Sequence, residues 1–394
     1  AKAIIDERIG LRPDRVLISA THTHAAPRSL PGLTGNALNE QYHDFLARRI
    51  ADAVERAIGH LAPAQVGWTS FEKPEYVHNR RWFMKPDVDM TNPFGETGDQ
   101  VRMNARGDGL VKPAGPVDPE LFVLSVQHLN GRPLALMANY GTHYVGGYER
   151  GNVSADYFGL LSEILAERLM ADWETPEDAV EDFPPFVAMV SNGTSGDVRI
   201  SDLSKNGKSY QPFELIGEVG RSIAYDIHAQ YPKIRYQENL RLAMTQKELL
   251  LGVRKPGPER VAWARKVLAE WDGTKPRQTM NAVTYSQEAL ALAEYPDEKP
   301  IILQAIRIGD LAIASSPCET FAETGLAIKK RSPFENTFTI ELANGAEGYL
   351  PTFEQHRLGG YETWPARSSF LEVTAERKIR ETLIEMLKSL DVGR

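Results

Sequence analysis

Two histidines separated by one residue are the part of this sequence best suited to chemistry. His22 and His24 lie in a Thr-His-Thr-His segment that follows an apolar run at residues 15–20, which predicts a buried strand. Side chains at positions i and i+2 of an extended segment point to the same side, so both imidazoles can face one cavity. One imidazole can then bind a metal ion while the other moves protons.

Four more predicted strands end in polar side chains that could contribute to the same cavity. The residues that follow these strands are His143, Asn192, Asp197, Glu319 and Tyr349. Ligands of α/β sheets bind outside the carboxyl ends of the strands, so we expect these side chains to share one site.

A set of two histidines and one glutamate from these strand ends predicts a zinc site. Its members would be His22 or His24, together with His143 and Glu319. Imidazole nitrogens and carboxylate oxygens are the usual ligands of catalytic zinc, which keeps one position open for water. Zinc lowers the pKa of bound water to near neutrality, so the set indicates metal-assisted hydrolysis.

The turn from Asn192 to Asp197 has two interpretations. Its backbone N–H groups can bind an anion, whereas a tight turn in which Asp197 caps the next segment fits the sequence equally well. The turn matches neither a phosphate-binding loop nor a dinucleotide-binding fingerprint. The chain also has no Gly-x-Ser-x-Gly elbow, which disfavours a serine hydrolase.

The composition excludes two classes of partner. The 394 residues are 42% hydrophobic and 25% charged, with a formal net charge of −8. No basic stripe interleaved with aromatic residues is present, so nucleic acid is not expected as a partner. No apolar run is long enough for a membrane span, so no transmembrane segment is expected.

Strand and helix patterns alternate along the chain and predict an α/β fold. We expect mixed sheets with antiparallel hairpins at residues 122–138 and 301–314, flanked by helices, with the active site at the strand ends. Residues 83–116 are rich in Gly, Pro, Asp and Asn and predict one long loop. Residues 232–300 are the most polar and predict a peripheral subdomain.

The order of these motifs resembles the neutral/alkaline non-lysosomal ceramidases, zinc-dependent amidases that cleave the N-acyl bond of ceramide. The two tyrosines that carry part of the resemblance are twelve residues apart, as in the family. The similar segments are Ser19-Ala-Thr-His-Thr-His-Ala-Ala-Pro27, Asn79-Arg80, Asn139-Tyr-Gly-Thr-His143, Ser191-Asn192 with Gly196-Asp197-Val198, Pro317-Cys-Glu319, Gly348-Tyr-Leu-Pro-Thr352 and Gly360-Tyr361-Glu362.

The resemblance implies which residues bind zinc. The four ligands would be His22, His143, Glu319 and Tyr349. The choice of His22 over His24 and the inclusion of Tyr349 both come from the resemblance, because the residue types and spacing leave them open.

The resemblance also implies a catalytic role for His24, Arg80 and Tyr361, which would line the reacting carbonyl group. Tyr361 would stabilise the developing oxyanion, and His24 would pass a proton to the leaving amine. Arg80 would orient a substrate oxygen or hold Tyr361 toward its ionised form.

Departures from the family pattern concern the substrate more than the zinc chemistry. Arg199 stands where the family has a serine directly after Gly-Asp-Val, and Ala25-Ala26 replaces the Ser-Gly after the second histidine. Asn192, Asp197 and Arg199 are predicted to bind substrate, and the charge of Arg199 favours an anionic or polar one.

The resemblance implies a single ceramidase-like catalytic domain at residues 1–394, with the N-terminal part of the family's domain and its C-terminal domain missing. The chain begins with Ala1, so we expect that a signal segment has been removed or that the chain is part of a longer polypeptide. The family implies a small-molecule or lipid amide substrate, sphingolipid metabolism and a secreted or periplasmic location.

Three alternative functions compete with amide hydrolysis. One is a zinc-dependent esterase or lactonase on the same scaffold, acting on a polar substrate other than ceramide. Another is a non-catalytic binding protein that retains the fold. A barrel-type amidohydrolase is disfavoured, because it requires further histidines at strand ends and His228 falls inside a predicted helix.

Overall fold

The computed structural model describes residues 1–27, 37–149, 151–173, 184–205, 209–274 and 280–391. The α-helices within these residues are α1 (Lys2–Ile9), α2 (Ala37–Gly59), α3 (Asp156–Ala171), α4 (Glu214–Gln230), α5 (Pro258–Ala269), α6 (Ala282–Ala293), α7 (Ala322–Arg331), α8 (Phe353–Leu358) and α9 (Ala375–Leu390). None of the described helices is long and apolar enough to cross a membrane.

The strands form two main sheets and three small ones. In chain order they are β1 (Ala64–Glu72), β2 (His78–Asn79), β3 (Arg81–Met84), β4 (Val101–Met103), β5 (Leu110–Pro113), β6 (Glu120–His128), β7 (Pro133–Tyr140), β8 (Val187–Asn192), β9 (Val198–Arg199), β10 (Arg235–Gln237), β11 (Leu242–Gly252), β12 (Glu298–Ile308), β13 (Leu311–Ser315), β14 (Glu319–Thr320), β15 (Asn336–Ile340) and β16 (Tyr349–Leu350). The first sheet has the order β10-β1-β6-β7-β8, and the second has the order β11-β12-β13-β15.

The two main sheets pack face to face, and each carries helices on its outer face. Successive side chains of a strand point to opposite faces, and β6 uses both. Leu121 and Val123 of β6 pack among apolar residues of α3 and α4. Phe122, the residue between them, packs between the sheets, with its ring centroid 4.9 Å from that of Phe338 in β15. Helix α9 covers the outer face of the second sheet through residues such as Leu383.

The parallel strand pairs of the two sheets end at the same edge of this sandwich. Strands β7 and β8 are parallel, and so are β13 and β15. Near their ends, Asn139 Nδ2 in β7 donates to Thr339 O in β15 at 2.9 Å, which joins the sheets. The segments that leave these four strands therefore start close together. They carry His143, Ser195, Glu319 and Glu341.

The predicted α/β class with mixed sheets and antiparallel hairpins is confirmed. The hairpin predicted at residues 122–138 is formed by β6 and β7, and the one at residues 301–314 by β12 and β13. Residues 232–300 contribute β10 to the first sheet, β11 to the second sheet and the helices α5 and α6. That they form a peripheral subdomain stays a prediction, as does the single domain at residues 1–394.

Two local predictions were wrong. The segment before His22 is not a strand, because it lies along the loop after β15 and makes one isolated bridge, Ser19 with Ala343. A loop offers no continuous row of backbone hydrogen-bond partners, so the single bridge cannot extend into a β-ladder. The predicted long loop at residues 83–116 also contains regular structure, since β4 and β5 pair with either side of β3.

Candidate metal centre

Three side chains from distant parts of the chain converge at the shared strand edge. One nitrogen of His22, one nitrogen of His143 and one oxygen of Glu319 lie within 4.8 Å of one another. Glu319 Oε2 is 3.4 Å from His143 Nε2 and 4.0 Å from His22 Nε2. This oxygen is buried and has no hydrogen-bond partner among the described residues. A buried carboxylate oxygen without a partner is costly, so the group fits a cation such as zinc.

Each of the three side chains is positioned by a different kind of backbone. His22 has a left-handed backbone, with φ of 65°, which is uncommon for a residue other than glycine. His143 lies three residues beyond the end of β7. Glu319 opens β14 and pairs with Tyr349 of β16, so this short parallel ladder brings the predicted fourth ligand beside the third.

The surroundings set the charge states that a divalent metal requires. Burial and the charge of Arg80 lower the pKa of His143 to about 3, and burial also lowers the pKa of His22. Burial would raise the pKa of Glu319, but the close approach of His143 and the charges of His22 and Arg80 bring it down to about 2. At neutral pH the imidazoles are therefore neutral and the carboxylate is ionised, as metal ligands must be.

Nδ1 of His143, the ring nitrogen that does not face Glu319, lies near a buried hydroxyl group and a buried carboxyl group. Ser195 Oγ lies 3.4 Å from His143 Nδ1 and donates to Glu341 Oε1 at 2.5 Å. Glu341 Oε2 accepts from the backbone N–H groups of Ser195 and Thr320 at 3.1 and 3.0 Å. Arg80 Nη1, which can only donate, lies 3.1 Å from His143 Nε2, so the ring proton of His143 is assigned to Nδ1 and Nε2 is left as the ligand atom.

Arg80 lies beside the same nitrogen and is held by a network of buried contacts. Its Nη1 is 3.1 Å from His143 Nε2, its Nη2 donates to Gly196 O at 2.8 Å and its Nε donates to Glu362 Oε1 at 3.1 Å. Glu362 also accepts from Arg81 Nη1 at 2.7 Å. Nε2 of His143 cannot accept a hydrogen bond from Arg80 and bind a metal ion at the same time. Metal binding would therefore break the contact between Arg80 and His143.

The remaining predicted catalytic residues surround the cluster. His24 Nε2 is 3.1 Å from His22 Nε2, and the His24 ring stacks on Tyr144 with centroids 3.9 Å apart. Burial and the neighbouring His22 lower the pKa of His24 to about 4. Tyr349 lies under Arg80, whose guanidinium carbon is 5.3 Å from the ring centroid. Tyr361 meets Tyr349 edge to face, with centroids 5.7 Å apart.

The three predicted substrate-binding residues lie in different surroundings. Asn192 is fully buried at the end of β8, and within the part of the chain that the structure describes neither its Oδ1 nor its Nδ2 has a hydrogen-bond partner. Asp197 is also buried, and its carboxylate accepts from Asn79 Nδ2 at 2.7 Å and from the backbone N–H of Ala322 at 2.9 Å. Arg199 is partly buried, and its Nη1 donates to Asn104 Oδ1 at 2.8 Å. Substrate binding by these residues stays a prediction.

Sequence reasoning missed four residues that support the cluster: Ser195, Glu341, Glu362 and Tyr144. Glu341 directly follows β15, so the rule that polar side chains gather at strand ends could have identified it. Glu362 and Tyr144 each stand next to a residue that was singled out. Ser195 lies inside the turn after β8, where nothing distinguishes it from the neighbouring Thr194.

Comparisons with known proteins agree with the resemblance. No family model matches the chain. Neutral ceramidase A of Dictyostelium discoideum is 23% identical over 194 residues, which are 47% of this chain and 24% of that protein. The crystal structure of neutral ceramidase from Pseudomonas aeruginosa matches 99% of this chain with a TM-score of 0.63 and 18% identity. A structure described as ceramidase complexed with C2 gives the same TM-score and identity.

This chain is shorter than the proteins it resembles. It spans 63% and 64% of the two solved chains. At 18% identity the structural likeness shows the fold alone. The predicted resemblance is nevertheless confirmed in both comparisons: the chain is similar in sequence to a neutral ceramidase and shares the fold of the solved neutral ceramidases.

Proposed function

We propose that this chain is a zinc-dependent hydrolase that cleaves an N-acyl amide bond. The observation that carries the proposal is the convergence of His22, His143 and Glu319, with one carboxylate oxygen buried and unpartnered. Tyr349 is proposed as the fourth ligand, because β14 and β16 hold it beside Glu319. The names of the similar proteins support ceramide-like amides as the substrate class.

A zinc ion bound by these residues would polarise the substrate carbonyl and lower the pKa of water. The protein groups around it divide the remaining work. Tyr361 donates its hydroxyl proton in a hydrogen bond to the carbonyl oxygen as negative charge develops there. His24 is neutral at working pH, so its ring can accept a proton from water and deliver it to the leaving nitrogen.

Arg80 acts from beside the metal ligands. The positive charge of Arg80 stabilises the negative charge that develops on the substrate. Its hydrogen bonds to Glu362 and Gly196 O hold the guanidinium group in one orientation. A role in sphingolipid metabolism and a secreted or periplasmic location are further parts of this proposal, and only the similarity to neutral ceramidases supports them.

Alanine variants of the two neighbouring histidines test the proposal. With zinc content measured by elemental analysis and hydrolysis of an N-acyl amide measured by fatty-acid release, His22→Ala is expected to lose both. His24→Ala is expected to keep the zinc and to lose roughly 10²–10⁴-fold in turnover, because only proton transfer is removed.

His60→Ala, a substitution at the exposed end of α2, serves as the control and is expected to change neither quantity. Equal zinc loss in the His22 and His24 variants would contradict the assigned roles.

A panel that pairs each amide with its ester separates an amidase from an esterase. Purified protein that takes up no zinc and cleaves neither would support a binding protein instead.

A further inference from the structure

Arg199, which pairs with His78 two residues before Arg80, is a partly buried cation without an acidic partner among the described residues. The one hydrogen bond that its side chain makes there goes from Nη1 to the neutral amide oxygen of Asn104 at 2.8 Å. Among the described residues, no carboxylate lies within 4.0 Å of its guanidinium group. The Nε atom is buried and has no hydrogen-bond partner. Most arginines with buried guanidinium nitrogens are paired, so this one is unusual.

The unused atoms of Arg199 form one side of the guanidinium group. Nε has no partner, and Nη2 makes no hydrogen bond within the described part of the chain. Nε and Nη2 together present two parallel N–H donors, which match the two oxygens of a carboxylate or phosphate group. The edge without partners among the described residues is therefore the one that binds such anions best.

The backbone of Arg199 lies close to that of Arg80. Strand β9 pairs with β2, so that Arg199 lies opposite His78, two residues before Arg80. Asn104, which accepts the hydrogen bond from Arg199, also donates its own backbone N–H to Arg80 O at 2.8 Å. The two arginines are thus tied to one loop residue.

The electrostatic surroundings also favour an anion at this place. Burial and the charges of Arg106 and Arg80 lower the pKa of Arg199 to about 10, while the nearby Tyr144 raises it. Tyr144 is the residue that stacks on His24 in the cluster. The carboxylate of Glu362, which pairs with Arg80 and Arg81, forms no ion pair with Arg199.

We propose that Arg199 binds an anionic group of the substrate, so that the preferred substrate is an N-acyl amide whose amine part carries a carboxylate, as in an N-acyl amino acid. The inference rests on the proposed amide hydrolysis and narrows its substrate class. A neutral N-acyl amide would leave Nε of Arg199 without a partner and would bind more weakly.

Two substrates that differ only in charge test this inference. An N-acyl glycine and the matching N-acyl glycinamide are compared by release of the fatty acid from the zinc-loaded protein. The wild type is expected to prefer the carboxylate substrate. Arg199→Gln is expected to lose about 10- to 100-fold in kcat/KM for N-acyl glycine, mainly through KM, and less than about threefold for the glycinamide.

Two further variants make the result specific. Arg199→Lys keeps the charge without the two-donor edge and is expected to recover part of the preference. Arg102→Gln removes an exposed arginine of β4 and is expected to leave both substrates unaffected. Equal losses on both substrates in Arg199→Gln, or no loss on either, would overturn the inference.

A binding measurement separates this inference from the proposed hydrolysis. If the wild type cleaves neither substrate, the proposed function fails, and calorimetric titration with N-acyl glycine still tests Arg199. At least tenfold weaker binding to Arg199→Gln than to the wild type would support the anion site. Equal binding to both proteins, or no binding to the wild type, would contradict it.

Discussion

Tyr349 and Tyr361 lie edge to face, and the proposed mechanism gives them different tasks. Tyr349 is paired through the backbone with Glu319, and its buried ring lies 5.3 Å from the guanidinium carbon of Arg80. Burial raises the pKa of both hydroxyls, so each keeps its proton at neutral pH and can donate a hydrogen bond. Metal binding by Tyr349 and oxyanion stabilisation by Tyr361 therefore stay proposals that rest on the resemblance and on the position of Tyr349 beside Glu319.

Replacing each tyrosine by phenylalanine separates these tasks. Tyr361→Phe is expected to keep zinc affinity and to lower kcat by roughly 10²–10³-fold, because one oxyanion donor is removed. Tyr349→Phe is expected to weaken zinc binding at least about tenfold, measured by competition with a chelator. Tyr225→Phe, an exposed position on α4, is the control for the loss of a hydroxyl. The reverse pattern would exchange the two assignments.

At the scale of single residues, the sequence predicted types better than roles. The imidazoles of His22 and His24 do lie together, with nitrogens 3.1 Å apart. The backbone is not the extended segment that the spacing argument assumed, because His22 is left-handed with φ of 65°. The spacing left the choice of metal ligand open between the two histidines. The strand-end rule could have identified Glu341, but its contact with Ser195 beside His143 was not predictable, because the two residues meet only through the packing of the two sheets.

At the scale of elements, the close approach of two chain segments fixes the position of Glu319. A Cβ atom on Gly196 would lie 2.3 Å from Glu319 O, a distance that real Cβ atoms do not show. The N–H of Gly196 also donates to Thr320 O at 2.8 Å. The turn after β8 is therefore pressed against β14, and it needs glycine at this position.

Gly196→Ala is expected to push β14 away from the turn and to move the carboxylate of Glu319. Thermal unfolding should show a loss of stability of about 1–3 kcal/mol, which is typical of overpacking, together with weaker zinc binding. Gly98→Ala, where an added Cβ meets nothing within 4 Å, should change neither property. Reduced stability with unchanged zinc affinity would show that this contact does not position Glu319.

Elements with strong local patterns were predicted well from the sequence. The hairpin of β6 and β7 and that of β12 and β13 follow from short turns between apolar runs. The segment at residues 16–20 was wrongly predicted as a strand. It lies along the loop after β15, where it forms one isolated bridge between Ser19 and Ala343, and not beside another strand. Strands β3, β4 and β5 were missed, because each is only three or four residues long and the segments between them are rich in Gly, Pro, Asp and Asn.

At the scale of the whole molecule, the site exists only because the two main sheets pack with their parallel strand ends together. His143 follows a strand of the first sheet, and Glu319 follows a strand of the second. His22 reaches them through the segment that lies along the loop after β15. The sequence predicted that polar strand ends would share a site, but it contained no local signal for the packing of one sheet on the other.

X-ray diffraction data measured on both sides of the zinc absorption edge test the central claim most directly. On crystals of the zinc-loaded protein, we expect one anomalous peak at about 2.0–2.2 Å from a nitrogen of His22, a nitrogen of His143 and an oxygen of Glu319. A peak bound by other side chains, or no peak between these three residues, would contradict the account.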